Sequence, residues 1–399
     1  MEKKWSFKIT PVRIVLMGVA AAAIMMMVYR LVFGLGSSTN LNDQWPWGLW
    51  IGFDVLTGVA LAGGGYSTCL LVHVLHIKKF TPIARSAMLT SLIGYLLVMA
   101  GLFMDIGRWF NFWQPFVSWG YHSVLFEVFW CVSLYTTIQL LEFGEIATEK
   151  VMKPWHKIVK KVLPVLFIIG IVLPTLHQSS LGSLYVIEVG KLYPLWWSML
   201  LPVFFLMSSF FVGPAMVTFE NLLAGRALGH RTDTNVLQSL IKVSGYLMLA
   251  YLGLKIFDLF YRGAAGLVFK GNFEGNMFLL EMIAGVVVPL IICFTPRLRE
   301  TKAGLMSFSV LVVAGVIINR MNVVFTGMSG SMGGFYFPSF IEWGVSIGLV
   351  AIGVLGYLFV VENFSILPHE SKAREPQTAF SPEKGYRLNP SGKVVRPNY

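Results

Sequence analysis

Charge is scarce in this 399-residue sequence: Asp, Glu, Lys and Arg make up 13% of it and hydrophobic residues 56%. So thin a polar complement is not that of a soluble domain of ordinary usage, and the mean hydropathy of +0.69 agrees. Cysteine is nearly absent. Its three copies, Cys69, Cys131 and Cys293, stand singly in apolar runs, which excludes a disulfide framework or the four thiolates of an iron–sulfur cluster. Histidine is little better placed. His73 and His76 close one apolar run, His156 and His230 fall in loops, and only His122 with His177 remains as a facing pair, so neither a haem nor another metal centre is expected. No G-x-x-x-x-G-K-[ST] loop occurs, which removes an ATP-driven pump of the P-loop type.

Long apolar runs are what the sequence has in quantity. Windows able to cross roughly 30 Å of hydrocarbon occur ten times, at 14–34, 48–76, 84–104, 121–146, 159–176, 196–222, 237–257, 276–296, 303–320 and 340–362. The expected class is an all-α integral membrane protein. The first run is too long, and lacks the small-residue cleavage site, for a signal peptide, so it is expected to be retained. Cytoplasmic loops hold an excess of Lys and Arg. With the N-terminus inside, Lys3, Lys4, Lys8, Arg13, Lys78, Lys79, Arg85, the lysines of 150–161, Arg226, Arg231, Lys242, Arg297, Arg299, Lys302 and the basic residues after Ser371 all fall on one side. Both termini are then cytoplasmic, in a multi-pass protein of the bacterial inner membrane. This topology accounts for the net charge of +11 without nucleic acid as a partner. The segment 365–399, rich in Pro, Lys, Glu and Ser, is expected to be a flexible cytoplasmic tail.

An ionisable group in a bilayer costs roughly 2.5 kcal/mol or more at the helix centre, so it faces protein or water and is a functional candidate by default. Glu127 stands in the run Ser123-Val-Leu-Phe-Glu-Val-Phe-Trp-Cys-Val-Ser-Leu-Tyr135, and Asp54, Tyr95, Glu220 and Glu281 stand in others. The topology brings Asp105, Arg108, His122 and His177 together near the outer interface, with Glu127 somewhat deeper. Beside them lie the aromatic residues Trp45, Trp47, Trp109, Trp113, Trp119, Trp196 and Trp197. The plain roles are an Asp105–Arg108 pair capping a helix and tryptophans at headgroup depth. Together the residues also describe a polar pocket against an aromatic wall, the shape of a small-molecule site.

A weak internal repeat divides the chain. Gly94-Tyr-Leu-Leu, with Asp105 and Arg108 downstream, is echoed by Gly245-Tyr-Leu-Met with Asp258 and Arg262, and Glu127 by Glu281; the second copy carries Lys255 and Asp258 where the first has histidines. An offset of four spans preserves orientation, so two parallel-repeat four-helix bundles with two peripheral helices are expected. The corresponding boundaries are 1–47 for the N-terminal segment, first span and outer loop; 48–195 for the first bundle; 196–335 for the second; and 336–364 for the tenth span. Midplane acids in parallel repeats also suit a secondary transporter, although unbroken helices, expected here, argue against one.

Several motifs in combination resemble those of the NrfD and polysulfide-reductase membrane-anchor family, on its branch of cytochrome-b-like membrane subunits of periplasmic nickel-iron hydrogenase 2. They are Arg30-Leu-Val-Phe-Gly-Leu-Gly36, Pro46-Trp-Gly-Leu-Trp-Ile-Gly-Phe-Asp54, Asp105-Ile-Gly-Arg108, Ser123-Val-Leu-Phe-Glu127, Leu173-Pro-Thr-Leu-His-Gln-Ser-Ser-Leu-Gly-Ser183 and Tyr336-Phe-Pro338. The resemblance runs from about residue 28 to 368 and fails in the cytoplasmic loops and tail. It implies a quinone-reactive subunit without its own metal centre, taking menaquinone or ubiquinone as substrate. Its electrons would be exchanged with a periplasmic iron–sulfur subunit, and through it with hydrogenase small and large subunits. Subunits of a polysulfide reductase or a multihaem cytochrome complex are the related alternatives. The positions matching Tyr95, Glu127, His177 and Glu220 are associated in the family with quinone turnover and proton passage. Quinone reduction takes two electrons and two protons, so it needs donors to the carbonyl oxygens and an acid to replenish them. The quinone is therefore expected around Asp105, Arg108, His122, His177 and Tyr95, with protons arriving through Glu220, Tyr95 and Glu127, and with Glu142 and Asp54 as further path residues. Glu281 and Asp258 are secondary candidates. Glu127 and Glu142 are about 22 Å apart along one helix, so a relay between them is required.

Overall fold

The computed structural model describes residues 7–45, 47–148, 153–229, 233–364 and 366, and the pairs 387–388 and 394–395. Ten of its helices are long and apolar enough to cross a membrane: α1 (Pro11–Phe33), α2 (Trp50–Val74), α3 (Lys78–Asp105), α4 (Val124–Ile146), α5 (Val159–Val186), α6 (Leu201–Leu228), α7 (Thr234–Tyr261), α8 (Phe273–Phe294), α9 (Lys302–Thr326) and α10 (Phe340–Asn363). The chain is a multi-pass membrane protein. The tail expected over 365–399 lies outside the described residues, apart from Ile366 and an antiparallel pairing of Arg387–Leu388 with Val394–Val395.

Each expected window falls on one of these helices. The largest difference in length is in α5, which runs to Val186, although its apolar window stops before His177-Gln-Ser-Ser180. Those polar residues do not end the helix. The Ser179 hydroxyl returns to the Thr175 carbonyl at 2.9 Å and that of Ser183 to Ser179 at 3.1 Å, while His177 and Gln178 turn into the protein. Local caps fix other ends. Thr10 caps α1 ahead of Pro11, and Ser339 with Glu342 forms a reciprocal capping box on α10.

The helices group by contact. In one ring α2, α3, α4 and α5 pack in sequence and α5 returns to α2; in a second, α6, α7, α8 and α9 do the same. The rings meet where α2 and α5 lie on α6, and α1 pairs with α10 on the outside of α3. Two junctions are set by glycine. A Cβ on Gly213 would lie 2.8 Å from the Gly63 carbonyl oxygen, and one on Gly285 2.6 Å from the Gly315 Cα, so α2–α6 and α8–α9 cross backbone to backbone. Small residues permit this close approach, which maximises dispersion where lipid supplies no hydrophobic drive between helices.

The helices are not unbroken. In α2 the backbone widens to π-helix over Trp50–Thr57 and Leu70–Val74, with a turn at 62–63 between them. Further π-helical segments occur at Ile283–Val287 in α8 and Asn322–Thr326 in α9. Gly58 follows the first of these segments directly, and Gly63, Gly64 and Gly65 stand at the turn in α2, where glycine holds the helical backbone least firmly. Such bulges often accompany functional sites.

The two ends of the bundle differ. At the basic end the start of α1 is tied to the end of α10 by Arg13 and Glu362, 2.6 Å apart. At the aromatic end, the loops knit together through Tyr193 N–H to the Gly327 carbonyl (2.7 Å), Arg262 to the Pro194 carbonyl (2.7 Å) and Trp109 to the Leu31 carbonyl (2.9 Å).

Candidate functional site

Tyr95 of α3 and His177 of α5 meet inside the first ring. The tyrosine oxygen and His177 Nε2 are 2.8 Å apart, and both residues are fully buried. Ten residues separate Tyr95 from the end of α3 and nine separate His177 from the end of α5, so the pair lies about 14 Å below the aromatic end. Tyr135 of α4 stands edge-on to Tyr95, with ring centroids 4.6 Å apart. His177 Nδ1 faces the backbone of Leu173 one turn back without a well-formed hydrogen bond.

A file of polar groups continues from this cluster toward the basic end. The Tyr135 hydroxyl lies 3.5 Å from Ser91 Oγ, which accepts a 2.5 Å bond from Gln139 Nε2. Glu142 follows on the same helix, buried beside Gly170 of α5 and within electrostatic reach of Tyr135 and Cys69. Tyr135, Gln139 and Glu142 recur at i, i+4 and i+7, one face of α4, and Ser91 with Tyr95 at i, i+4 on α3. That periodicity was available in the sequence. Ser91 and Gln139 do not stand out in the sequence because neither side chain ionises, and Tyr135 ends the apolar run that drew notice to Glu127.

Glu220 of α6 is buried where three helices meet. It accepts a 2.5 Å bond from the Tyr357 hydroxyl of α10 and another from Thr90 of α3. Thr90 adjoins Ser91, so Glu220 approaches the polar file from the other side of α3. Asp54 of α2 accepts a 2.6 Å bond from Ser346 of α10 and packs against Gly101 of α3. Its carboxylate thus joins α2, α3 and α10.

The residues expected at the aromatic end are spread apart. Arg108 and His122 are exposed, and among the described residues no hydrogen bond or ion pair joins Asp105, Arg108, His122 and His177 to one another. Asp105 Oδ1 is buried without a hydrogen-bond partner among the described residues, within electrostatic reach of Arg30 and Glu342. Arg30, fully buried, reaches across from α1 to the Met104 and Ile106 carbonyls at 2.6 Å each. It satisfies carbonyls left open at the end of α3, and sequence reasoning placed it in a motif without giving it a role. Glu127 lies in the first turn of α4, at the aromatic end and not deeper, because the helix starts at Val124. It is exposed, on one stripe with the exposed Leu134 and Leu141, about 12 Å along the axis from Tyr135.

The second ring holds a different arrangement. Glu281 of α8 is buried and accepts bonds from Trp196 Nε1 (2.8 Å), Asn319 Nδ2 (2.7 Å) and Asn322 Nδ2 (2.9 Å). Asp258 of α7 accepts from Ser198 at 2.7 Å and pairs with Arg262 at 2.7 Å. The counterparts suggested by the sequence repeat are unlike one another: Tyr95 is buried while Tyr246 is 63% exposed, and Glu127 is exposed while Glu281 is 2% exposed.

A bis-histidine haem does not fit these residues. His177 Nε2 is engaged by Tyr95, His122 is exposed at the aromatic end, and His73 stacks on Phe167 with ring centroids 3.9 Å apart.

Comparison with known proteins agrees with this architecture. The family model described as polysulphide reductase, NrfD, matches residues 37–329. A protein of Nitratidesulfovibrio vulgaris (strain Hildenborough) is 35% identical over 90% of this chain and 95% of its own length. The probable Ni/Fe-hydrogenase 2 b-type cytochrome subunit of Escherichia coli K12 is 34% identical over 86% of this chain and 89% of its own. The menaquinone reductase integral membrane subunit of N. vulgaris is 29% identical over 86% and 88%. With the family model covering well over half of its length, this chain belongs to the NrfD polysulphide-reductase family.

Proposed function

We propose that the chain is the quinone-reactive membrane subunit of a respiratory oxidoreductase of the bacterial inner membrane, its catalytic metals being held by partner subunits. In this reading both termini are cytoplasmic, so the aromatic end faces the periplasm. The observation that carries it is the buried Tyr95–His177 pair at the head of a polar file. A quinone taking two electrons must also take two protons, one at each carbonyl oxygen. A phenol and an imidazole sharing a proton supply a donor whose replacement comes along the file. Glu142, Gln139, Ser91 and Tyr135 form that supply in α3 and α4, with Glu220 feeding its flank. Glu127, exposed in the first turn of α4, is the acid that a lipid-borne quinone meets at the mouth. Asp105, Arg108 and His122 form the surrounding rim, and Asp54 steadies the helices behind it.

The names of two relatives support this assignment, one a hydrogenase subunit and the other a menaquinone reductase subunit. The more specific form is a subunit of a nickel-iron hydrogenase 2, receiving electrons through a periplasmic iron–sulfur protein. A menaquinone or ubiquinone substrate fits the same chemistry, and so does the anchor of a polysulfide reductase. The interruptions in α2 favour a second reading, a secondary transporter using the buried acids. Purifying the chain with its bound partners separates the two. Electron transfer between the complex and a menaquinol analogue, abolished by His177→Ala while dye-linked activity of the partner persists, supports the quinone site. Quinone-linked rates unchanged in that variant would remove it.

A further inference from the structure

Lys255 is a buried charge without an ion pair among the described residues. It is 1% exposed, and among the described residues no hydrogen bond and no carboxylate within 4.0 Å accompanies it. Its Nζ sits 4.6 Å above the Phe204 ring of α6 and 5.8 Å from the Phe278 ring of α8. Cation–π attraction offsets only part of the cost of burying an ammonium. The titratable groups facing it are Glu281 from α8, Arg320 from α9, Asp258 on its own helix and Arg262 just beyond that helix's end. Asp258 is already held by Arg262 and Ser198. Glu281 is held by neutral donors alone and, among the described residues, has no ion pair of its own.

Arg320 connects this pair to the first ring. It donates to Asn319, which in turn donates to Glu281, and to Ser208 of α6 at 2.7 Å, with its guanidinium 3.6 Å over the Phe205 ring. Beside Ser208, Ser209 accepts a 2.5 Å bond from Tyr66 of α2. Tyr66 and Tyr185 lie within electrostatic reach of Arg320, and Tyr95 and Tyr135 within that of Tyr66. Among the described residues, Gln178, the Tyr185 hydroxyl and Arg320 Nε are buried without hydrogen-bond partners. Natural interiors satisfy such groups or use them.

We propose that Lys255 and Glu281, joined to the first ring through Arg320, form a proton-loading site that is filled and emptied in step with quinone turnover. Filling takes one proton from water onto the Lys255 amine. Transfer breaks an Nζ–H bond and, through an intervening water, makes an Oε–H bond on Glu281, leaving a neutral amine and a carboxylic acid. Release returns one proton to water on the opposite side. No electron moves at this site; a change of charge near Tyr95 alters the potential at Arg320 and hence which state is favoured. The proposal rests on the quinone assignment above.

The test uses the purified complex in liposomes, with quinone-linked rate and proton movement recorded together by a trapped pH dye. In Glu281→Gln and Lys255→Met, quinone-linked turnover persists while protons moved per quinone fall at least twofold. An unchanged ratio in both variants overturns the site, as does a wild-type ratio no larger than quinone chemistry requires. Loss of quinone turnover with dye-linked activity intact also overturns it, by placing Glu281 in the quinone reaction. Should neither variant assemble, redox difference infrared spectra of the wild type and of Glu281→Asp decide. A protonated-carboxyl band that moves in the variant supports the proposal, and no such band overturns it. Absence of quinone turnover in the wild type is a failure of the quinone assignment instead.

Discussion

Replacing Tyr95 with Phe removes one oxygen and keeps the ring that packs against Tyr135. The lost contact is the 2.8 Å bond to His177 Nε2. His177 Nδ1 already lacks a well-formed bond, so the variant leaves a fully buried imidazole with neither nitrogen properly partnered. Leaving one buried polar group unpaired costs about 1–3 kcal/mol, enough to lower the thermal midpoint of the complex but not to prevent assembly. The effect on turnover separates two roles. A group that hands over a proton contributes about a hundredfold or more to the rate, and its loss appears in kcat. If Tyr95 only orients His177, the loss stays within about tenfold and is carried by KM, by analogy with uniform binding contributions. The assay is quinone-linked turnover of the whole complex beside dye-linked turnover of the same sample, with melting followed by size exclusion after heating. A quinone-linked kcat unchanged in a destabilised protein would refute a chemical role for the pair. A parallel fall in dye-linked activity would refute it too, since the phenol would then be supporting assembly.

Glu127→Gln should lower quinone-linked turnover at least tenfold without destabilising the protein, because its side chain is exposed; equal loss of dye-linked activity would contradict this. Gln139→Leu should interrupt the file between Ser91 and Glu142, slowing quinone-linked turnover several-fold, with the partner's dye-linked activity as the control. Gly213→Leu should prevent the α2–α6 crossing, since even a Cβ there lies 2.8 Å from backbone; overpacking costs about 1–3 kcal/mol or more, read as lost folded protein after mild heating. Glu281→Gln should affect quinone turnover less than Glu127→Gln, and equal losses would show that the two rings share one reaction.

Much of this molecule was legible in its sequence, for reasons visible at particular residues. Ten apolar runs gave ten helices because a backbone in hydrocarbon must satisfy its own hydrogen bonds. Tyr95 and His177 could be named as candidates because a polar group in such a run needs a reason. Their direct contact could not be named, since it depends on how α3 and α5 rotate against each other. Glu127 shows the converse. Its apolar neighbours suggested burial, yet the helix starts at Val124 and turns its face outward. The repeat in sequence likewise said nothing of environment, as Tyr246 lies exposed where Tyr95 is enclosed.

By itself the sequence determined the class, the number of spans and the inventory of intramembrane acids and bases, because hydropathy and charge are properties of residues one at a time. Only the tertiary structure decided which of them are partnered. The file from His177 to Glu142 passes through neutral side chains on three helices, and the placing of Lys255 over aromatic rings, without an ion pair among the described residues, is a fact about what the neighbouring helices bring near it. Both depend on helix rotation set by close backbone crossings such as Gly63–Gly213, which follow from which surfaces can touch and have no counterpart in local propensity.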